Sequence, residues 1–147
     1  MPKPITPLCG CDVFVTDSKD QVLLIRRSDN GFWALPGGCQ NLGETPGECA
    51  IRECQEESGY VVQITELLGV WSSMRYEYVN YPWKDNQFTH LLFCAKIVSG
   101  NPSPSDESTE IGWFPEGALP PLSDGHAPRI AYGFQHRSGK VNGAYFE

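Results

Sequence analysis

The chain has 147 residues and a formal net charge of −7. That length suits one domain able to bury a core without staples. The acidic balance argues against unspecific binding to nucleic-acid backbones, yet leaves open a nucleotide substrate whose charge a bound cation offsets.

The start, MPKPITPLCG, holds three prolines and no apolar run, so no signal peptide is expected there. Nor does any stretch approach the length of a membrane span, and a cytoplasmic location is the expectation. Residues 11–16 (CDVFVT) and 21–27 (QVLLIRR) read as consecutive strands around the polar turn DSKD. A loop, SDNGFW, leads into ALPGG and then a helix. Strand-like runs follow at 61–62, 67–71 and 87–98, before the Pro/Ser-rich loop GNPSPSDEST. EIGWF reads as a short strand and EGALPPL as a turn. PRIAYGFQHR (128–137) reads as a helix with Pro128 at its first position and Gly139 past its end. Strands and helices without regular βα alternation, and without repeats or long linkers, predict one α+β domain over 1–147.

The six cysteines form no CxxC pair and no zinc-finger spacing, and they read as small buried apolar residues. His90, His126 and His136 are too dispersed to suggest a ligand cluster.

The first helix has strong boundary signals. TPGE (45–48) is a capping box, with Thr45 as cap, Pro46 at the first helical position and Glu48 reaching back. Gly59 suits a left-handed C-terminal cap, so the helix is expected from Pro46 to Glu57 or Ser58. At 100° per residue, Ala50, Ile51 and Cys54 share one face, and Glu53, Glu56 and Glu57 an adjacent one. A solvated acidic face is the plain alternative. However, these acids crowd the helix C-terminus, where the dipole favours cations. A bound hard divalent cation explains them better. Upstream, Gly37 and Gly38 permit close backbone approach or a positive φ, and the loop after them ends in Glu44.

The stretch from Gly38 to Tyr60, GCQNLGETPGECAIRECQEESGY, resembles the signature of the Nudix hydrolases. Gly38, Glu44, Arg52, Glu53, Glu56, Glu57 and Gly59 fill its fixed positions, and Cys54 and Tyr60 stand where bulky apolar residues are usual. VLLIRRSDNGFWALPGG and DESTEIGWFP extend the likeness to roughly residues 9–122. The resemblance implies a Nudix-like α/β/α sandwich around a mixed β-sheet. It implies a hydrolase that cuts the diphosphate linkage of a nucleoside diphosphate derivative, such as a nucleotide sugar like ADP-ribose, or of a nucleoside triphosphate. Water attacks phosphorus, and Mg²⁺ or Mn²⁺ supplies the positive charge that two anionic reactants require.

By resemblance, Glu53, Glu56 and Glu57 are metal ligands, with the Gly37 carbonyl beside them. Glu44 ligates a second metal or supports the loop, and Arg52 orients the glutamates. The general base is Glu53, or Glu107 or Glu110 from the loop DESTE. For the substrate, Trp33 and Tyr76 are candidate stacking residues, and Arg26 and Lys84 candidate phosphate contacts. Members of this family are often homodimers, so a second copy is an expected partner beside the small-molecule nucleotide. Two other readings stay open: a nucleotide sensor without turnover, and an mRNA-cap or dinucleoside-polyphosphate hydrolase. The lack of a basic stripe weighs against nucleic acid.

Overall fold

The structure, a computed structural model, describes residues 7–73 and 87–147. Their strands are β1 (Leu8–Phe14), β2 (Gln21–Arg27), β3 (Trp33–Ala34), β4 (Gly37–Cys39), β5 (Tyr60–Ser72), β6 (Phe88–Gly100) and β7 (Ser108–Pro115). Two α-helices join them, α1 (Pro46–Ser58) and α2 (His126–Arg137).

The strands form a mixed sheet in the order β4-β1-β6-β5 and an antiparallel one in the order β3-β2-β7. β1 runs parallel to β6 and antiparallel to β4. The segment ALPGG is therefore more than a tight turn. It carries the chain from the second sheet (β3) to the first (β4), and the Pro36 carbonyl accepts the Val13 N–H at 3.0 Å on the way.

Strand alternation builds the sandwich. Cys11, Val13 and Val15 point to one face, where they pack with Leu23 against Cys49, Ala50 and Cys54 of α1. Phe14, Val22 and Leu24 point to the other, where they pack with Ile130 and Phe134 of α2. Each helix covers one face, and Gly133 lets α2 approach so closely that a Cβ there would lie 2.5 Å from the Phe14 ring. All six cysteines are free thiols; Cys11, Cys49 and Cys54 are buried, and Cys39 is exposed.

Helix α1 has the expected ends. Thr45 accepts the Glu48 N–H, the reciprocal bond from Glu48 is present, and Gly59 takes a left-handed conformation at φ 84°. Helix α2 begins two residues before the sequence reading. Pro128 lies within its first turn, where an amide N–H has no intrahelical partner to lose. Strand β5 is continuous where the sequence shows two separate runs. Register shifts near Val61, Ile64 and Leu67 break its alternation, and with it the apolar pattern.

The last residues form a latch on β5. Tyr145 donates its N–H to the Leu68 carbonyl at 2.8 Å and accepts the Val70 N–H at 2.9 Å. Its ring stacks on Trp71 at 4.7 Å, and Tyr132 of α2 meets the same indole edge-on at 5.7 Å. Among the described residues, no helix is long and apolar enough to cross a membrane.

Candidate active site

The capping box fixes where α1 starts, and so which way its acids point. Glu57 is 5% exposed and Glu53 9%, while Glu56 faces solvent. The acidic face is thus mostly turned inward. Cys49 takes a fully buried place on the apolar side, and Ile51 is only half-buried.

Two glycines open the space for these acids. A Cβ on Gly38 would lie 2.5 Å from the Glu53 carboxyl carbon, and one on Gly37 would lie 2.0 Å from Asp12 Oδ1. Neither glycine has a positive φ, so close approach is the reason for both. The Gly37 N–H donates to Glu57 Oε1 at 2.7 Å.

Arg52 ties the acids to the preceding loop. It donates to Glu44 at 2.7 and 3.0 Å, to Glu53 at 2.8 Å, to Glu56 at 3.2 Å and to the Cys39 carbonyl at 3.2 Å. This pairing holds the Glu44 carboxyl down at about 2. Glu44 also accepts the Asn41 N–H at 2.8 Å, which fixes the loop.

The Pro/Ser-rich loop docks on the C-terminus of α1 and supplies the third acid. Ser103 donates its N–H to the Ser58 carbonyl at 2.8 Å, and the Ser108 hydroxyl donates to the Glu57 carbonyl. Helix-end carbonyls that lack internal partners are satisfied this way. Glu107 is thereby brought to the cluster: Glu53, Glu57 and Glu107 each offer an oxygen within 4.8 Å of the others.

Burial pushes the Glu57 carboxyl well up from its ordinary value against the Gly37 hydrogen bond, and the Glu53 charge adds to the rise. Burial raises Glu53 too, with Arg52 opposing. A hydrogen bond to a charged group is worth about 1.5–3 kcal/mol. Desolvating a carboxylate costs several kcal/mol, so the cluster calls for a proton or a cation. Its donors are all oxygen, which suits a hard divalent ion such as Mg²⁺ or Mn²⁺.

The cluster opens on a cavity of about 420 Å³. Its lining also includes residues the sequence reading did not select, among them Asp12, His90, His126 and Arg129. Arg129 Nη2 is 3.0 Å from Asp12 Oδ2 and 3.2 Å from His126 Nδ1. Burial pushes Asp12 up, and Arg129 opposes it. Burial and the Arg129 charge push His90 down to about 2 and His126 well below its ordinary value, so both imidazoles are neutral near pH 7. One signal was available in the sequence. Asp12 interrupts an apolar strand, and Arg129 stands beside Ile130 on the helix side that also carries Gly133 and Phe134, and charges at such positions are rarely buried unless paired.

The remaining sequence candidates lie elsewhere. Arg26 and Glu110 face each other across β2 and β7 and pair at 3.3 Å on the surface. Neither lines the cavity; Arg27, the next residue, does. Trp33 packs edge-on against Phe114 at 4.8 Å and does not line the cavity. Tyr76 and Lys84 fall outside the described residues.

The family model for the NUDIX domain matches residues 9–133. The chain belongs to this family. One Nudix relative, an ADP-ribose pyrophosphatase of Methanocaldococcus jannaschii, is 32% identical over 117 residues, covering 76% of this chain and 64% of that protein. A Bacillus subtilis protein provisionally named 8-oxo-dGTP diphosphatase is 30% identical over 135 residues, covering 90% of this chain and 83% of its own. Among solved structures, a UDP-X diphosphatase superposes with a TM-score of 0.82 at 25% identity, covering 96% of this chain and 68% of that one. The first two curated relatives are longer proteins, of which this chain spans 49% and 64%.

Proposed function

We propose that this chain is a metal-dependent hydrolase of the diphosphate linkage in a nucleoside diphosphate derivative or a nucleoside triphosphate. The observation that carries the reading is the convergence of Glu53, Glu57 and Glu107 in the wall of a cavity large enough for a small-molecule ligand. The names of its relatives point to the same class of substrate.

Glu53 and Glu57 would hold the metal with Glu107 nearby; Glu56 is the neighbour of Glu57 in the chain, and Gly37 lies against Glu57, to which its N–H donates. Bound there, Mg²⁺ or Mn²⁺ supplies positive charge to the phosphoryl oxygens and acidifies a water. Arg52 keeps Glu44, Glu53 and Glu56 in one arrangement without lining the cavity, so its role is positioning. We assign the proton from the attacking water to Glu107, which lines the cavity and is exposed, whereas Glu110 is held by Arg26. Attack at phosphorus places the new oxygen on a phosphate.

The test is a panel of nucleotides including ADP-ribose, UDP-sugars, GTP and 8-oxo-dGTP, assayed with Mg²⁺ and with Mn²⁺, in ¹⁸O-water. At least one should be cut, with label on a phosphate product and no turnover in excess EDTA. Undiminished turnover in EDTA overturns the reading. So does saturable binding of every nucleotide without cleavage, which is the behaviour of a sensor.

A further inference from the structure

We propose that Arg129 is a positioning residue: through Asp12 and His126 it fixes the passage 35–37 between the two sheets, and so holds Glu57 in place. This rests on the reading of Glu57 as a metal ligand given above. The contacts form a continuous chain from α2 to the acids. Arg129 Nη2 lies 3.0 Å from Asp12 Oδ2 and 3.2 Å from His126 Nδ1. His126 Nδ1 accepts the Leu35 N–H at 3.2 Å, which holds the start of the passage. Asp12 pairs with Gly37 across β1 and β4, and its Oδ1 fills the space that a Gly37 Cβ would need. Gly37, at the end of the passage, donates its N–H to Glu57 at 2.7 Å.

Stability alone is a poor account of the Asp12–Arg129 pair. Both residues are buried, yet Nε and Nη1 of Arg129 have no hydrogen-bond partner among the described residues. Buried N–H groups are rarely left so. A buried ion pair offsets its desolvation only when its remaining hydrogen bonds are made, and apolar side chains of similar volume often serve a core as well or better. The passage has a more specific need. The N–H that Glu57 accepts comes from a glycine, which has no side chain to anchor its backbone. Asp12 supplies the packing that a side chain at that position would otherwise give, and Arg129 keeps Asp12 there.

The experiment reads the Gly37 N–H directly, without nucleotide or metal. In ¹H–¹⁵N spectra an amide that donates to a carboxylate lies downfield, and its exchange with deuterium reports local opening. The variants are Arg129→Met, Arg129→Lys and, so that no buried charge is left unpaired, Asp12→Asn/Arg129→Met. The Leu23 N–H, which donates to the Val15 carbonyl at 2.9 Å, is the reference for stability at large. In Arg129→Met and in the double variant we expect the Gly37 resonance to move upfield. Its exchange should quicken at least tenfold more than that of Leu23, with Arg129→Lys in between. Mg²⁺ affinity, titrated calorimetrically in a second series, should fall at least tenfold in the same variants. Should Arg129→Met fail to fold, the double variant carries the comparison alone.

A Gly37 N–H unchanged in the double variant overturns the role of Arg129, whatever happens to Mg²⁺ binding. So does exchange that quickens equally at Gly37 and Leu23, which is a loss of stability and nothing more. Mg²⁺ affinity that holds while Gly37 moves overturns the last step, from Gly37 to Glu57. A displaced Gly37 N–H in a protein whose wild type binds no Mg²⁺ supports the positioning and defeats the metal reading instead.

Discussion

Glu57 carries the sharpest single-residue contrast. Glutamine keeps the shape of the side chain and an oxygen for the Gly37 N–H, and it removes a buried charge that burial already disfavours. Glu57→Gln should therefore unfold in EDTA at the same temperature as the wild type or a few degrees higher. Turnover in saturating Mg²⁺ should fall by orders of magnitude, because an anionic ligand is gone. A solvated, idle glutamate would change neither quantity. Gly38→Ala probes the same place from the backbone side. Its methyl would lie 2.7 Å from both Glu53 oxygens, so the carboxylate must swing away. Calorimetric Mg²⁺ affinity should drop while far-UV circular dichroism is preserved. At this scale the acids were legible because they are contiguous and follow a helical period. The pairing of Asp12 with Arg129 was not, since only the packing of α2 over β1 brings them together. Arg27 was overlooked for its neighbour because strand alternation, not composition, decides which arginine faces the cavity.

Helix α1 positions the cluster, so its ends matter as much as its acids. Thr45→Ala removes the bond to the Glu48 N–H and should lower stability by about 1 kcal/mol, read from a denaturant midpoint. At the other end, Gly59→Ala meets a left-handed backbone costing about 1–2 kcal/mol for an L side chain. Its Cβ would also lie 2.2 Å from the Asn101 carbonyl. The loop that brings Glu107 should loosen with it, so this substitution should cost activity beyond its cost in stability. The clamp from Arg52 to Glu44 has its own pH window. Glu44 is depressed from 4.5 to about 2, so its contribution is present above about pH 4.5 and is lost as pH falls toward 2. The stability gap between wild type and Glu44→Gln should close over that range in acid-unfolding curves. The ends of α1 were fully legible, because caps are local chemistry. The continuity of β5 was not, because bulges depend on the partner strand β6.

Across the whole molecule, the two buried imidazoles set an acid limit. His90 and His126 titrate below their ordinary value when folded, so the unfolded chain takes up their protons first. Their effect on stability is thus a loss as pH falls below about 6.5. Glu53 and Glu57, raised when folded, act in the opposite direction above their ordinary value. His90→Asn should therefore flatten the fall of unfolding free energy between pH 6 and pH 4.5 by up to about 1.4 kcal/mol per pH unit. An unchanged slope would mean that His90 is protonated in the folded state. The α+β class was legible from mixed strands and helices without alternation. The division into two sheets was not, because it turns on the short passage around Pro36 that no periodicity marks.

The latch at the end of the chain gives the molecule an optical gauge. Trp71 is 2% exposed and shares a cluster with Tyr145 of the tail and Tyr132 of α2, whose rings also meet each other at 5.6 Å. Its indole should emit in the blue while both rings stay in place, and shift to the red when either departs. Since α2 also carries His126 and Arg129, the colour of Trp71, read in a variant with Trp33, Trp83 and Trp113 replaced by phenylalanine, reports whether α2 is seated against the cavity, without any substrate being turned over.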